Sequence, residues 1–357
     1  MAAPEKEGNL YARPKRYSEE GMMRKSILRY LHLATSMLAF ALLFAASGFG
    51  QQDSGSPIRV GIIGLDTSHC VAFIKIFNDP SNPQYVPGLR VVAAFKGGSP
   101  DIADSRDRVE GFTAELRDKW KIRIVDDIPT LAGLVDAVLL LSLDGRTHLE
   151  QVKPVLAAGK PVFIDKPLAD SYHDASEIAR LAKQAGVSWF SASSLRFWEE
   201  TTRLKTSSEA GVVVGCDVYG PCPIQPQQPD LMWYGIHAIE ALYSIMGPGC
   251  ETVTRVNTPD TDVVVGKWRE SRLGAMRGIR KGAEDYGITL FGTKAILRSG
   301  AQRETYRPLL FEIAKFFRTR IPPVNPEESL EIIAFMEAAD KSKTRGGAPV
   351  KLNEVMK

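Results

Sequence analysis

A β-branched run, Ile58 to Ile63, leads into Gly64-Leu65-Asp66-Thr67-Ser68-His69, and an amphipathic stretch then runs to Asn78-Asp79-Pro80. A strand that turns on a glycine into a helix can cradle a diphosphate, because the helix amino end offers free N–H groups and the positive end of its dipole. In the full G-x-G-x-x-G fingerprint the first glycine makes the turn, the second lets backbone approach the diphosphate, and the third lets helix pack on strand. Gly64 is the first, but Asp66 and His69 hold the other two positions. A carboxylate at position 66 repels a diphosphate, whereas Thr67 and Ser68 add hydroxyl donors. Two readings stay open: a dinucleotide bound in an altered pose, or Asp66 capping the helix with His69 packed on its first turn.

The next strand-like run, Leu89 to Phe95, ends in Lys96-Gly97-Gly98-Ser99. An NAD site usually places an acid here against the ribose, and there is none. Lys96, Ser99 and the N–H groups of Gly97 and Gly98 suit a 2′-phosphate, which favours NADP over NAD, although a solvated loop explains the lysine equally well. Leu143-Asp144-Gly145-Arg146 with His148 follows a fourth run, and Asp165-Lys166-Pro167 a fifth. Carboxyl ends of parallel strands face the cleft where ligands bind, and a lysine stripped of water there drops its pKa toward acid–base use. A surface Asp-Gly turn is the plainer account of 144–146. Asp66, His69, Asp144, His148 and His237 are metal-ligand types, but their spacing supports a metal only weakly, and none is expected.

Parallel strands must position these groups. The runs Ile58–Ile63, Leu89–Phe95, Ile122–Val125, Ala137–Ser142, Val162–Ile164 and Val187–Ser191 are continuous and apolar, as a sheet covered on both faces requires. Helical faces lie between them, for example Val109, Phe112 and Leu116. After Arg196 strands follow one another around Val212–Val218, Thr252–Asn257, Asp262–Trp268 and Tyr286–Leu297, with a turn at Gly292-Thr293 and one helix over Met232–Met246. Asn325-Pro326 with Glu328 caps a last helix that Gly346-Gly347 stops. The expected fold is α/β: a Rossmann-type doubly wound parallel sheet over 56–195, then an α+β domain with a mainly antiparallel sheet over 196–357.

The 357 residues carry a formal charge of only +3 with acids and bases interspersed, so no basic stripe for nucleic acid exists and a small-molecule partner is expected. Arg24, Lys25 and Arg29 precede an apolar run from Leu31 to Ala46 followed by Ser47, Gly48 and Gly50, which is a signal-peptide layout. Export, to a periplasm, is the expectation for residues 1–55, with an uncleaved membrane anchor as the alternative and Met22 or Met23 as the true start. Cys70, Cys216, Cys222 and Cys250 lack zinc spacing; Cys216 and Cys222 flank a turn and can approach, but free buried thiols are the simpler reading.

Asp165-Lys166-Pro167 after Val162-Phe163-Ile164, His148, Ala158-Gly159-Lys160-Pro161, then Trp233-Tyr234-Gly235-Ile236-His237 with Glu240, Met246-Gly247, Gly292-Thr293 and Pro323-Val324-Asn325 follow in an order that resembles the Gfo/Idh/MocA oxidoreductases, the glucose-fructose oxidoreductase and inositol dehydrogenase group. The resemblance covers nearly everything after residue 57. It implies that Lys166 lies beside a nicotinamide and the substrate hydroxyl, and that His237 is the general base for that hydroxyl. The family pairs such a His with an acid four positions earlier; here Trp233 stands there, and Asp230 is the best substitute if the helix extends so far. Arg146, Trp233 and Tyr234 are expected on the substrate, and subunits of this family often pair, which implies a homo-oligomer. NAD(P)-dependent oxidation or reduction of a sugar, polyol or related hydroxy compound leads the readings. A nicotinamide-using glycosidase or epimerase and a non-catalytic ligand-binding member are the alternatives.

Overall fold

The structure is a computed structural model that describes residues 56–301 and 305–357; the signal-like segment lies outside the described residues. β1 (Ile58–Ile63) turns on Gly64 into α1 (Ser68–Asn78), and β2 (Leu89–Phe95) leads through the short helices α2 (Ala103–Arg106) and α3 (Val109–Ala114) to β3 (Arg123–Val125). α4 (Ile128–Leu134), β4 (Ala137–Leu140), α5 (His148–Ala157), β5 (Val162–Ile164), α6 (Tyr172–Ala185) and β6 (Trp189–Ser191) complete the first layer system. The six strands are parallel and ordered β3-β2-β1-β4-β5-β6, the doubly wound arrangement expected from the apolar runs. β1 therefore lies between β2 and β4, where the chain reverses its direction of winding and a crevice opens at the carboxyl ends. Thr67 caps α1, accepting the His69 N–H, so Asp66 is not the capping residue.

Beyond α7 (Glu199–Thr206) come β7 (Val213–Pro221), α8 (Asp230–Trp233), α9 (Ile236–Met246), β8 (Cys250–Thr258), β9 (Thr261–Trp268), β10 (Leu273–Ile279), β11 (Gly287–Gly292) and β12 (Ile296–Arg298). α10 (Arg307–Thr319), α11 (Pro326–Thr344) and β13 (Val350–Lys351) end the chain. The second sheet runs β12-β11-β7-β10-β9-β8-β13 and is antiparallel except between β7 and β10. Residues 56–357 form one compact unit.

Four local outcomes differ from the sequence expectation. β10 was not foreseen because Gly274 and Gly278 weaken its strand signal; both are needed, since a methyl on Gly274 would lie 2.8 Å from the Trp268 ring and one on Gly278 2.7 Å from Cys222 Cβ. α10 was also unplaced, although Leu309, Leu310, Ile313, Phe316 and Phe317 mark one apolar face. That face packs with Phe73, Phe77 and Phe190 on the first sheet's side, returning the chain to the Rossmann layer. The single helix expected over 232–246 is broken at Tyr234-Gly235 into α8 and α9. Asn325 caps α11 as its sequence implied, but Glu328 accepts from the buried Arg196, which also holds Glu240, rather than closing a capping box. All four cysteines are buried free thiols.

Gly64 has φ of +91°, and a methyl there would meet the Ser142 backbone nitrogen at 2.3 Å, so Gly64→Ala clashes with rigid chain in a conformation costly for L side chains. Gly64→Ala is expected to lower stability by ~3 kcal/mol or more. Gly111→Ala in α3, where a methyl meets nothing within 4 Å, should raise it by about 0.5–1 kcal/mol. Urea denaturation of the two variants checks the pair; equal stabilities would show that the Gly64 turn is not constrained.

Candidate active site

A cavity of about 600 Å³ opens at the carboxyl ends of β1, β5 and β6 and is closed on the far side by the α8–α9 break. Its titratable groups include His69 from the first turn of α1, Asp165 and Lys166 from the end of β5, His237 from the start of α9, and the Asp104–Arg108 ion pair from α2 and the turn after it. His69 Nδ1 lies 2.5 Å from Asp165 Oδ2, and the Lys166 N–H donates to Asp165 Oδ1 at 2.9 Å. Burial pushes the Asp165 carboxyl up, but the facing His69 and Lys166 outweigh it and hold the group below the usual carboxylate range. Burial lowers the Lys166 ammonium against the pull of Asp165. Burial, then the charges of Lys166 and His69, keeps His237 well below an ordinary imidazole value. His237 is therefore a neutral base at neutral pH, with Nδ1 fixed 2.7 Å from Ser193 Oγ.

Aromatic rings complete the walls. Trp233 and Tyr234 reach the cavity from the helix break, with Trp198, Tyr286 and Tyr306 opposite. Tyr234 meets the His237 ring edge-on at 4.9 Å, and His69 stacks on Phe73 at 5.3 Å while meeting Tyr306 edge-on. Such faces, alternating with polar groups, suit a compact ring whose hydroxyls need directed partners.

Several sequence expectations are corrected. Asp230 does not orient His237: the α8–α9 break takes the two off a common face, and the buried Arg255 guanidinium draws its carboxylate at 2.9 Å, with Lys343 at 2.5 Å. Ser193 takes the orienting role instead. Arg146, expected on the substrate, is held by Asp144 and Asp101 at 2.8 and 2.9 Å and lies outside the cavity lining. His148 is fully buried, its Nε2 2.8 Å from Ser142 O and its Nδ1 3.1 Å from Leu168 O, so it fastens two loops and is not available to a cofactor. The five metal-ligand types Asp66, His69, Asp144, His148 and His237 go to separate partners.

A dinucleotide on this fold crosses the carboxyl end of β1. Here that place is filled by protein groups. Asp66 is turned inward, accepting the Ser105 hydroxyl at 2.7 Å and the Leu143 N–H at 3.2 Å, and burial raises its carboxyl. Ser99 donates to Asp144, whose own burial is outweighed by Arg146 and Ser99 so that its carboxyl stays low. Lys96 is paired with Glu110. Thr67, Ser68 and Lys166 still face open space, and Gly97 and Gly98 keep their positive φ, but the residues over β1 do not fit a dinucleotide in this arrangement. Asp165 and Pro167 follow β5 as expected, with only the aspartate in the lining.

Ser193, Ser105, Trp198, Tyr286 and Tyr306 escaped the sequence reading. Only Ser193 had a positional signal, directly beyond β6 at the carboxyl end of a parallel strand. The others reach the site through tertiary packing.

Residues 58–193 match the family described as an oxidoreductase family with an NAD-binding Rossmann fold. Among curated proteins the chain is 28% identical over 195 residues to the myo-inositol 2-dehydrogenase of Thermotoga maritima, a match covering 48% of this chain and 58% of that protein. It is 44% identical over 66 residues to the inositol 2-dehydrogenase of Paracoccus denitrificans, covering 18% of this chain and 19% of that one. The matched stretches thus span less than two thirds of these curated relatives. A scyllo-inositol dehydrogenase from Lactobacillus casei, solved with NAD(H) and scyllo-inositol, superposes with a TM-score of 0.69 at 14% identity over 84% of this chain and all of its own, which shows a shared fold. Over residues 58–193 the chain is thus similar to the Gfo/Idh/MocA oxidoreductases, and over its described length it shares their fold.

Proposed function

We propose that the chain is an oxidoreductase acting on a hydroxyl-bearing carbon of a sugar, polyol or related small hydroxy compound held in the cavity. The observation that carries this reading is the convergence of Lys166, His237 and the His69–Asp165 pair on one aromatic-walled cavity of about 600 Å³. Its neutral His237 accepts a hydroxyl proton, and Ser193 fixes the ring for that transfer. Lys166 donates a hydrogen bond to the substrate oxygen, its charge balanced by Asp165. Trp233 and Tyr234 supply the platform for the carbon face. The inositol dehydrogenases among the relatives support the substrate class.

The redox half of this reading requires the groove over β1 to open. Of the residues that favoured NADP, Ser99 has given its hydroxyl to Asp144 and Lys96 is paired with Glu110, so the preference rests on the N–H groups of Gly97 and Gly98. The filled groove favours a second reading, a ligand-binding member without redox chemistry. Export and subunit pairing through the second sheet remain part of the proposal; among the described residues no helix is long and apolar enough to cross a membrane.

Calorimetric titration with inositols, hexoses and linear polyols should show saturable binding of at least one, weakened about tenfold, or 1.4 kcal/mol, by Trp233→Ala. A protein that binds none of them refutes the substrate class. The pH dependence of stability has a defined sign. The unfolded His237 side chain takes a proton near pH 6.5 and the folded one only at lower pH, so its contribution to stability is lost as pH falls below about 6.5. In thermal denaturation the loss of Tm between pH 7 and pH 5 should be smaller in His237→Asn than in the parent chain. An identical loss in both would mean that His237 is not held neutral.

A further inference from the structure

We infer that the groove in which this family holds its dinucleotide is latched shut by this chain's own side chains, so that a nicotinamide dinucleotide does not bind there until the latch opens. β1 lies between β2 and β4, so the loop after β2 and the loop after β4 flank the path a dinucleotide takes. Across that path the two loops are joined directly, with Ser99 Oγ donating to Asp144 Oδ2 at 2.6 Å. Asp66, from the loop after β1, ties the same pair from beneath: Oδ1 accepts the Leu143 N–H at 3.2 Å and Oδ2 the Ser105 hydroxyl at 2.7 Å. Ser105 Oγ in turn accepts the Ser99 N–H at 2.7 Å, which closes the circuit.

Asp66, Ser99, Ser105 and Asp144 are 0%, 5%, 0% and 2% exposed, so the circuit is closed to solvent. A diphosphate would have to replace hydrogen bonds to two buried carboxylates and lie against those carboxylates itself. Two further contacts brace the latch from outside. Arg146 bridges Asp144 to Asp101, and Gln228, from the second half of the chain, donates to Asp144 Oδ1 at 3.3 Å. The Lys96–Glu110 pair is exposed on both sides and belongs to no such circuit, so it is not what closes the groove.

Titration of the purified chain with NADH and NADPH, followed by nucleotide fluorescence, tests the latch. The parent chain should show no saturable binding up to ~1 mM. Asp66→Gly restores the second fingerprint glycine and frees the Leu143 N–H, and Ser99→Ala cuts the link between the two loops. Each should bind at least about tenfold more tightly than the parent. If Asp66→Gly fails to fold, Ser99→Ala carries the test, because Asp144 keeps Arg146 and Gln228. Micromolar binding by the parent chain overturns the inference, and so does a pair of folded variants that gain nothing. Polyol binding is read without nucleotide, so failure of the latch and failure of the proposed substrate class are separate results.

Discussion

The carboxyl end of β1 is the point on which the rest of the molecule turns. Gly64 takes a positive φ there and has no side chain, which lets the Ser142 backbone come against it and brings the loops after β1 and β4 together. That closeness puts the Leu143 N–H within reach of Asp66. A buried carboxylate with one backbone and one hydroxyl donor is satisfied enough to stay inside, and its retention fixes how the surrounding loops lie. The diphosphate position of the fold is thereby taken by an internal carboxyl group.

The chain's carboxylates divide into two populations with different work. Asp66 and Asp144 are consumed in holding loops together over β1. Asp165 and Asp104 line the cavity: Asp104 is paired with Arg108, and Asp165 is held by His69 and the Lys166 N–H. The cavity is thus rich in donors and bases and poor in free acids. This suits an oxygen-rich, uncharged ligand better than a cationic one. With Trp233 at the position where the resemblance implied an acid, the His237 imidazole is held instead by Ser193, from the first half of the chain.

A second buried charge centre makes this possible. Arg255 is fully buried and held by Asp262, Asp340 and Asp230, with Lys343 on the last of these. Removing one partner would strand a buried charge, so α8 is committed to β8 and α11 rather than to the cavity. The break at Tyr234-Gly235 lets α9 carry His237 to the cavity independently, while α10 returns to cover the Rossmann layer beside α1.

Much of the fold was legible in the sequence because continuous apolar runs report a doubly covered parallel sheet, and the fold class followed from their alternation with helical faces. Gly64 as the turn, Lys166 and Asp165 at a strand end, and His237 near a helix start were also legible, since local chain geometry fixes where such residues stand. Partner choice was not. Asp66, Asp144, Arg146 and His148 carry the same residue types whether they face a ligand or each other, and Asp230 lies a short way from His237 in sequence yet belongs to Arg255 in space. The sequence by itself determined the parallel strands of the first half, their doubly wound character and the positions of Gly64, Lys166 and His237 along the chain. Only the tertiary structure decided which polar groups satisfy one another, because the low-dielectric interior makes every buried donor and charge seek a partner from whatever element packing brings within about 3 Å.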